Sequence, residues 1–223
     1  MKLTIIIPTL NEAAAIEPCL ESLQGFRHQG HEIIVVDGGS TDATISRARN
    51  LCDRIITAEK GRALQMNAGA AIARNDVLIF LHVDTQLPPS SAQLINNGLL
   101  KCHWGFFKIH LDGRHIFYRL IETLMNWRSQ TSRIATGDQV LFIRHQLFND
   151  IQGFPEIALM EDIAISKRLK STAQRPYFIT TPAITSCRRW QQHGILRTVL
   201  LMWYLRLAYY LGCPAAVLAR KYR

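Results

Sequence analysis

The chain has 223 residues, 48% hydrophobic and 19% charged, a globular composition with enough apolar material to close a full core. Lys and Arg number 26 against 17 Asp and Glu, a net charge of +9 that favours polyanionic partners: nucleic acid, diphosphates or an anionic membrane face. Five scattered cysteines, Cys19, Cys52, Cys102, Cys187 and Cys213, with no Cys-x-x-Cys pair and no histidine at ligand spacing, exclude a disulfide framework and read as reduced, mostly buried thiols.

Met1-Lys2 leads straight into an apolar run, which leaves no room for a signal peptide and places the expected protein in the cytosol or on its membrane face. Three such runs, Leu3–Ile7, Ile33–Val36 and Val77–Leu81, read as strands of a parallel sheet buried on both faces. Each drains into a polar loop with a carboxylate: Pro8-Thr9-Leu10-Asn11-Glu12, Asp37-Gly38-Gly39-Ser40-Thr41-Asp42, and His82-Val83-Asp84. Strand ends that share a direction lie along one sheet edge, so Glu12, Asp37 and Asp84 are expected to converge there. Gathered carboxylates repel unless a cation or a sugar hydroxyl sits among them. Each acid alone also reads as a helix N-cap; three in series favour a site.

Between the strands, Pro18 suits the first turn of a helix, which leaves Ile16, Leu20 and Leu23 to face the sheet. Thr41-Asp42 is expected to cap a helix through Leu51, and Arg54–Thr57 reads as a short strand. Residues 63–73 form a helix rich in small side chains, with Gly61 and Arg62 at its start. Its backbone N–H groups, with Arg62 and Lys60, offer an anion site, although solvated surface charges explain the same residues. Pro88-Pro89-Ser90-Ser91 precedes a helix to about Leu99, completing a strand–helix half-domain near residue 100.

In the second half, Gly137-Asp138 precedes a strand-like Val140–Ile143 and reads as a site border or a simple turn. Glu161-Asp162 opens a helix, Ile163–Lys170, whose positive end suits ionised acids and whose first turn equally suits capping acids. In the segment Ile195–Leu211, Arg197, Thr198 and Arg206 interrupt the apolar residues, and no run reaches the ~20 needed to span a bilayer. Arg197 and Arg206 fall on roughly opposite helical faces, which spoils an amphipathic stripe, yet the Trp and Tyr side chains with Arg220, Lys221 and Arg223 suit a membrane interface. Peripheral membrane contact through 195–223, packing on the catalytic domain and packing on a second subunit stay open, as does the oligomeric state.

Together, Ile5–Glu12, the Val35–Asp42 loop, Gly61–Ala70, Leu81–Thr85, Gly137-Asp138-Gln139, Met160-Glu161-Asp162 and Arg188-Arg189-Trp190 resemble glycosyltransferase family 2. More narrowly they look like a small bacterial branch labelled arsenosugar-biosynthesis glycosyltransferase. The resemblance implies an α/β GT-A fold, a Rossmann-like mostly parallel sheet with helices on both faces and a C-terminal helical tail. It divides the chain into a catalytic domain, 1–190, with a nucleotide-sugar half (1–100) and an acceptor half (101–190), and a tail, 191–223.

It further implies inverting transfer from a nucleoside-diphosphate sugar to a hydroxyl acceptor. Asp162 would be the base and Glu161 its helper, while Pro8, Thr9, Glu12, Asp37, Gly61, Arg62, Gln65, Asn67, His82 and Asp84 would bind the donor. Gly137, Asp138, Arg188, Arg189 and Trp190 would border the acceptor and diphosphate, with an arginine clamping phosphate and the indole stacking on a sugar. Asp84 would ligate a divalent cation, Mg²⁺ or Mn²⁺. The family pattern there is Asp-x-Asp, and His82 takes the first position.

Two other classes compete. A nucleotidyltransferase would carry a Gly-rich basic loop after the first strand, and Pro8–Glu12 has neither glycine nor basic residue. A nucleic-acid-binding module would explain the charge, but the basic residues read as dispersed and no zinc-knuckle or RNP-like motif is present.

Overall fold

The computed structural model describes residues 1–172 and 174–222, with Arg189 described by its backbone alone. The aliphatic run Leu3–Thr9 forms β1 at the middle of the first half of a sheet. Glu32–Asp37 (β2) and Val77–Phe80 (β4) pair parallel on its two sides, and Arg54–Thr57 (β3) pairs parallel outside β2. All residues of β2 and β4 are buried, as strands covered on both faces demand.

The covering helices follow from small and apolar side chains. On one face α1 (Ile16–Ser22) and α2 (Gln24–His28) bury Ile16, Leu20, Leu23 and Phe26 against Leu3, Ile5 and Ile33. On the other face α4 (Arg62–Ile72) approaches so closely that a Cβ on Gly69 would stand 2.5 Å from Ile6 Cγ2. The helix expected from Thr41 to Leu51 is shorter. Asp42 Oδ1 accepts the Thr44 N–H at 3.0 Å, and α3 covers only Thr44–Ala48. α5 (Ser91–Leu99) closes the first half.

The second half departs from a simple parallel continuation. Leu141–Arg144 (β7) pairs antiparallel with β4 and with Trp104–Leu111 (β6), while β6 pairs parallel with Tyr177–Thr185 (β8). The two-residue β5 (Thr85–Gln86) adds antiparallel to β8, giving the order β3-β2-β1-β4-β7-β6-β8-β5. Neither β6 nor β8 shows the uniform aliphatic run of β1: β8 contains Pro182, and it carries the extra residues where the register shifts between Phe107–Ile179 and Ile109–Ala183.

The remaining helices are α6 (Ile116–Ser132), α7 (His145–Asp150), α8 (Glu161–Ser171), α9 (Arg188–His193), α10 (Ile195–Tyr210) and α11 (Ala215–Tyr222). The tail packs by one face on the second half of the chain. Leu205 of α10 and Leu218 of α11 are fully buried with Ile134, Leu159, Met160 and Ile163.

Candidate active site

Parallel pairing sets Thr9 opposite Asp37, and the Leu81 N–H donates to the Ile6 carbonyl at 3.0 Å, so the loops after β1, β2 and β4 leave one edge. The first two are laced together. Asn11, in the left-handed region at φ 54°, donates its N–H to Ser40 Oγ at 2.9 Å and accepts the Thr41 N–H at 2.9 Å. The Glu12 N–H donates to Thr44 Oγ1 at 2.8 Å. Asp37, only 4% exposed, accepts the Gly39 and Ser40 N–H groups at 3.0 and 2.9 Å and the Ser40 hydroxyl, so its carboxylate shapes the loop.

Two expected donor ligands turn out to brace the scaffold. The buried Gln65 amide donates to the Thr9 and Val36 carbonyls, both at 2.8 Å. Asn67 pairs with the Phe154 backbone in both directions at 2.9 Å. Sequence spacing placed them on the right helix, but long-range backbone groups claim their hydrogen bonds.

Asp162 sits at the start of α8 and accepts two backbone N–H groups, Gly137 at 3.0 Å and Ile163 at 2.7 Å. Burial and the neighbouring Glu161 charge push its pKa up to about 6, against the pull of those hydrogen bonds and of Arg62. Glu161 itself is 6% exposed. His82 joins this cluster from the β4 loop, its Nδ1 lying 3.5 Å from Asp138 Oδ1. Its ring fills the space where a Gly137 Cβ would stand, 2.2 Å from Cε1. His82, Gly137, Glu161 and Asp162 therefore line one small cavity, which Phe80 and Ser166 close.

Left-handed backbone at two non-glycine residues flanks this cluster: Val140 at φ 47° and Met160 at φ 68°. A β-branched residue in that region is a costly outlier, the kind of strain that gathers at functional sites.

Arg62 opens α4 and faces the acids. Protein crowding around its head group disfavours the charge, but Tyr222, Glu161, Asp138 and Asp162 overcome this and raise its pKa. Arg128 of α6 lies within electrostatic reach of the same acids and was not among the residues expected there. Burial lowers its pKa while Asp162, Tyr210 and Asp138 oppose that shift. A lone arginine within a helix carries no spacing signal, so only the tertiary fold reveals it.

Asp84 is half-buried, its carbonyl accepting the Ser186 N–H at 3.1 Å. Burial, with the Asp84 charge behind it, pushes the Cys19 thiol up to about 12. Among the described residues no three His, Cys, Asp or Glu side chains converge to hold a metal. The donor set is thus a single carboxylate, which fits a hard cation only when diphosphate oxygens and waters complete its shell.

From the far end of the chain, Arg188 Nη2 reaches Glu12 Oε2 at 3.3 Å, bringing α9 to the β1 loop. The expected side-chain role of Arg189 lies outside the described residues. Trp190 packs against the buried cluster of Leu111, Tyr118 and Cys187. Its indole is only partly buried there.

A mixed sheet whose first two strand-end loops are laced together, faced by a pinned carboxylate, is the architecture of the GT-A fold. Residues 4–101 match the model of Glycosyl transferase family 2. Over 91 residues the chain is 40% identical to a PGL/p-HBAD biosynthesis glycosyltransferase of Mycobacterium tuberculosis, an alignment covering 38% of this chain and 36% of that protein. A dolichol-phosphate mannosyltransferase of Pyrococcus furiosus is 35% identical over 99 residues, covering 40% of this chain and 27% of its own. The fold is similar to that of the mannosyltransferase PcManGT of Pyrobaculum calidifontis, solved with GDP-Man and Mn²⁺, at TM-score 0.65 and 23% identity. That likeness covers 83% of this chain and 56% of the archaeal one. Glucosyl-3-phosphoglycerate synthase of M. tuberculosis is also similar, at TM-score 0.63 and 17% identity, over 96% of this chain and 81% of that one. These alignments therefore span 36% and 27% of the two curated relatives' lengths.

Proposed function

We propose that the chain transfers a sugar, with inversion, from a nucleoside-diphosphate sugar to an acceptor hydroxyl. The observation that carries this is Asp162, a pinned carboxylate with pKa about 6 lining one cavity with His82 of the donor edge. A base of that pKa is ionised at neutral pH yet still takes a proton well. As the acceptor oxygen bonds to the anomeric carbon, its proton passes to Asp162. The bond from that carbon to the diphosphate breaks on the opposite face, and its electron pair leaves with the nucleotide.

The loops of Pro8–Glu12 and Asp37–Asp42 would cradle the nucleoside. Arg62, with Lys60 and Gly61 at the α4 N-terminus, would meet the diphosphate. When bound, Mg²⁺ or Mn²⁺ held by Asp84 would offset the leaving group's charge. Neighbours solved with GDP-Man or with UDP and Mn²⁺ support a donor of this kind. The narrower arsenosugar-biosynthesis label is a statement of context and names no substrate for this site.

Asp162→Asn tests the assignment. It should retain nucleotide binding and lose transfer by roughly 100- to 10,000-fold. Full turnover by this variant would refute the base.

A further inference from the structure

Surface helices usually turn an apolar face inward and a polar one outward; α6 inverts this polarity, and α10 is apolar on both its buried and its exposed face. α6 sends hydrogen-bonding side chains to the sheet. Asn126 accepts the Ile109 N–H at 2.9 Å and donates to its carbonyl at 3.0 Å, and Glu122 accepts the Leu111 N–H at 3.0 Å. Outward lie Ile116, Leu120, Leu124 and Trp127, every one more than half exposed. On α10 the exposed residues are Leu196, Leu200, Trp203, Leu207 and Tyr210, spaced as one helical face. At about 100° per residue, Arg197 and Arg206 fall on the two borders of this stripe. They frame it, which corrects the expectation that they spoil it.

The two helices are neighbours at both ends. Tyr118 and Ile121 of α6 share an apolar cluster with Trp190 and Ile195. Arg128 of α6 lies within electrostatic reach of Tyr210.

Basic residues concentrate in the same segments and are not dispersed as first read. Residues 114–133 and 186–223 hold eleven of the 26 Lys and Arg but only one of the 17 Asp and Glu. The rest of the chain is close to neutral.

We propose that α6 and α10 form one docking face for the surface of an anionic phospholipid bilayer. The apolar stripes enter the headgroup boundary, and the bordering arginines meet lipid phosphates. A second copy of the chain fits less well, because pairing these faces would oppose two basic surfaces. Among the described residues no helix is long and apolar enough to cross a membrane, so the contact is peripheral. Docking stands apart from the transferase reading.

The test uses the intact chain with phosphatidylglycerol–phosphatidylcholine vesicles and with pure phosphatidylcholine vesicles. The protein should co-sediment with the anionic vesicles and bind neutral ones, or anionic ones in high salt, roughly tenfold less well. Leu200→Glu/Trp203→Glu and, separately, Leu124→Glu/Trp127→Glu should each weaken binding about tenfold, with melting temperature and nucleotide-induced stabilisation unchanged. Brominated lipids should quench tryptophan emission in both Trp127→Phe and Trp203→Phe, because each variant keeps one docking tryptophan. Absence of binding to anionic vesicles would overturn the proposal, as would quenching that disappears entirely in either variant. So would a dimer in solution that Leu200→Glu/Trp203→Glu converts to monomer. Loss of nucleotide stabilisation with vesicle binding intact would count against the transferase reading alone.

Discussion

The Gly137 backbone N–H donates to the Asp162 carboxylate at 3.0 Å, and the same glycine leaves the space that the His82 ring fills. One position thus holds the proposed base and admits the His82 ring. Gly137→Ala should drive a Cβ into the ring, 2.2 Å from Cε1. Overpacking of this kind costs about 1–3 kcal/mol. Transfer should fall at least tenfold while nucleotide stabilisation falls little, a separation that initial rates and thermal shifts measure together.

Asp162 must be ionised to accept a proton, so activity should rise with pH through about 6 and level off above it. Below that pH the carboxyl is protonated and the base is lost. Arg62 holds the pKa down, so Arg62→Gln should move the rising limb to higher pH. A pH–rate profile of the two proteins reads this directly. An unchanged inflection would remove Arg62 from the site's electrostatics.

The Glu12–Arg188 pair is solvent-exposed, and such pairs contribute about 0–1 kcal/mol to stability. Its weight lies in holding α9 to the donor loop. Arg188→Ala and Glu12→Gln should each raise the KM for the donor several-fold with little change in melting temperature, and the double variant should add little to either. Steady-state kinetics in a double-mutant cycle checks the coupling.

Much of the first half of the sheet was legible because buried parallel strands announce themselves as short aliphatic runs. Leu3–Ile7, Ile33–Val36 and Val77–Leu81 each lie within or one residue beyond an observed strand. Pro18 likewise marked the first turn of α1. The second half was harder. β6 and β8 lack uniform patterns, and α6 reverses the expected polarity, so hydrophobic periodicity alone misleads about which side faces in. Gln65, Asn67 and Trp190 show a further limit. Their residue types suit a ligand, but the backbone partners of Gln65 and Asn67 and the apolar neighbours of Trp190 are supplied only by the fold.

The most direct test of the central claim is a thermal-shift titration with UDP, GDP, dTDP and ADP, with and without Mn²⁺. It should compare the native chain with Asp37→Ala, Asp84→Ala and Asp162→Asn. One nucleotide should stabilise the native protein saturably and more so with Mn²⁺, Asp37→Ala and Asp84→Ala should weaken that effect, and Asp162→Asn should retain it. Equal stabilisation of the native chain, Asp37→Ala and Asp84→Ala, or none by any nucleotide, would contradict a donor site at this sheet edge.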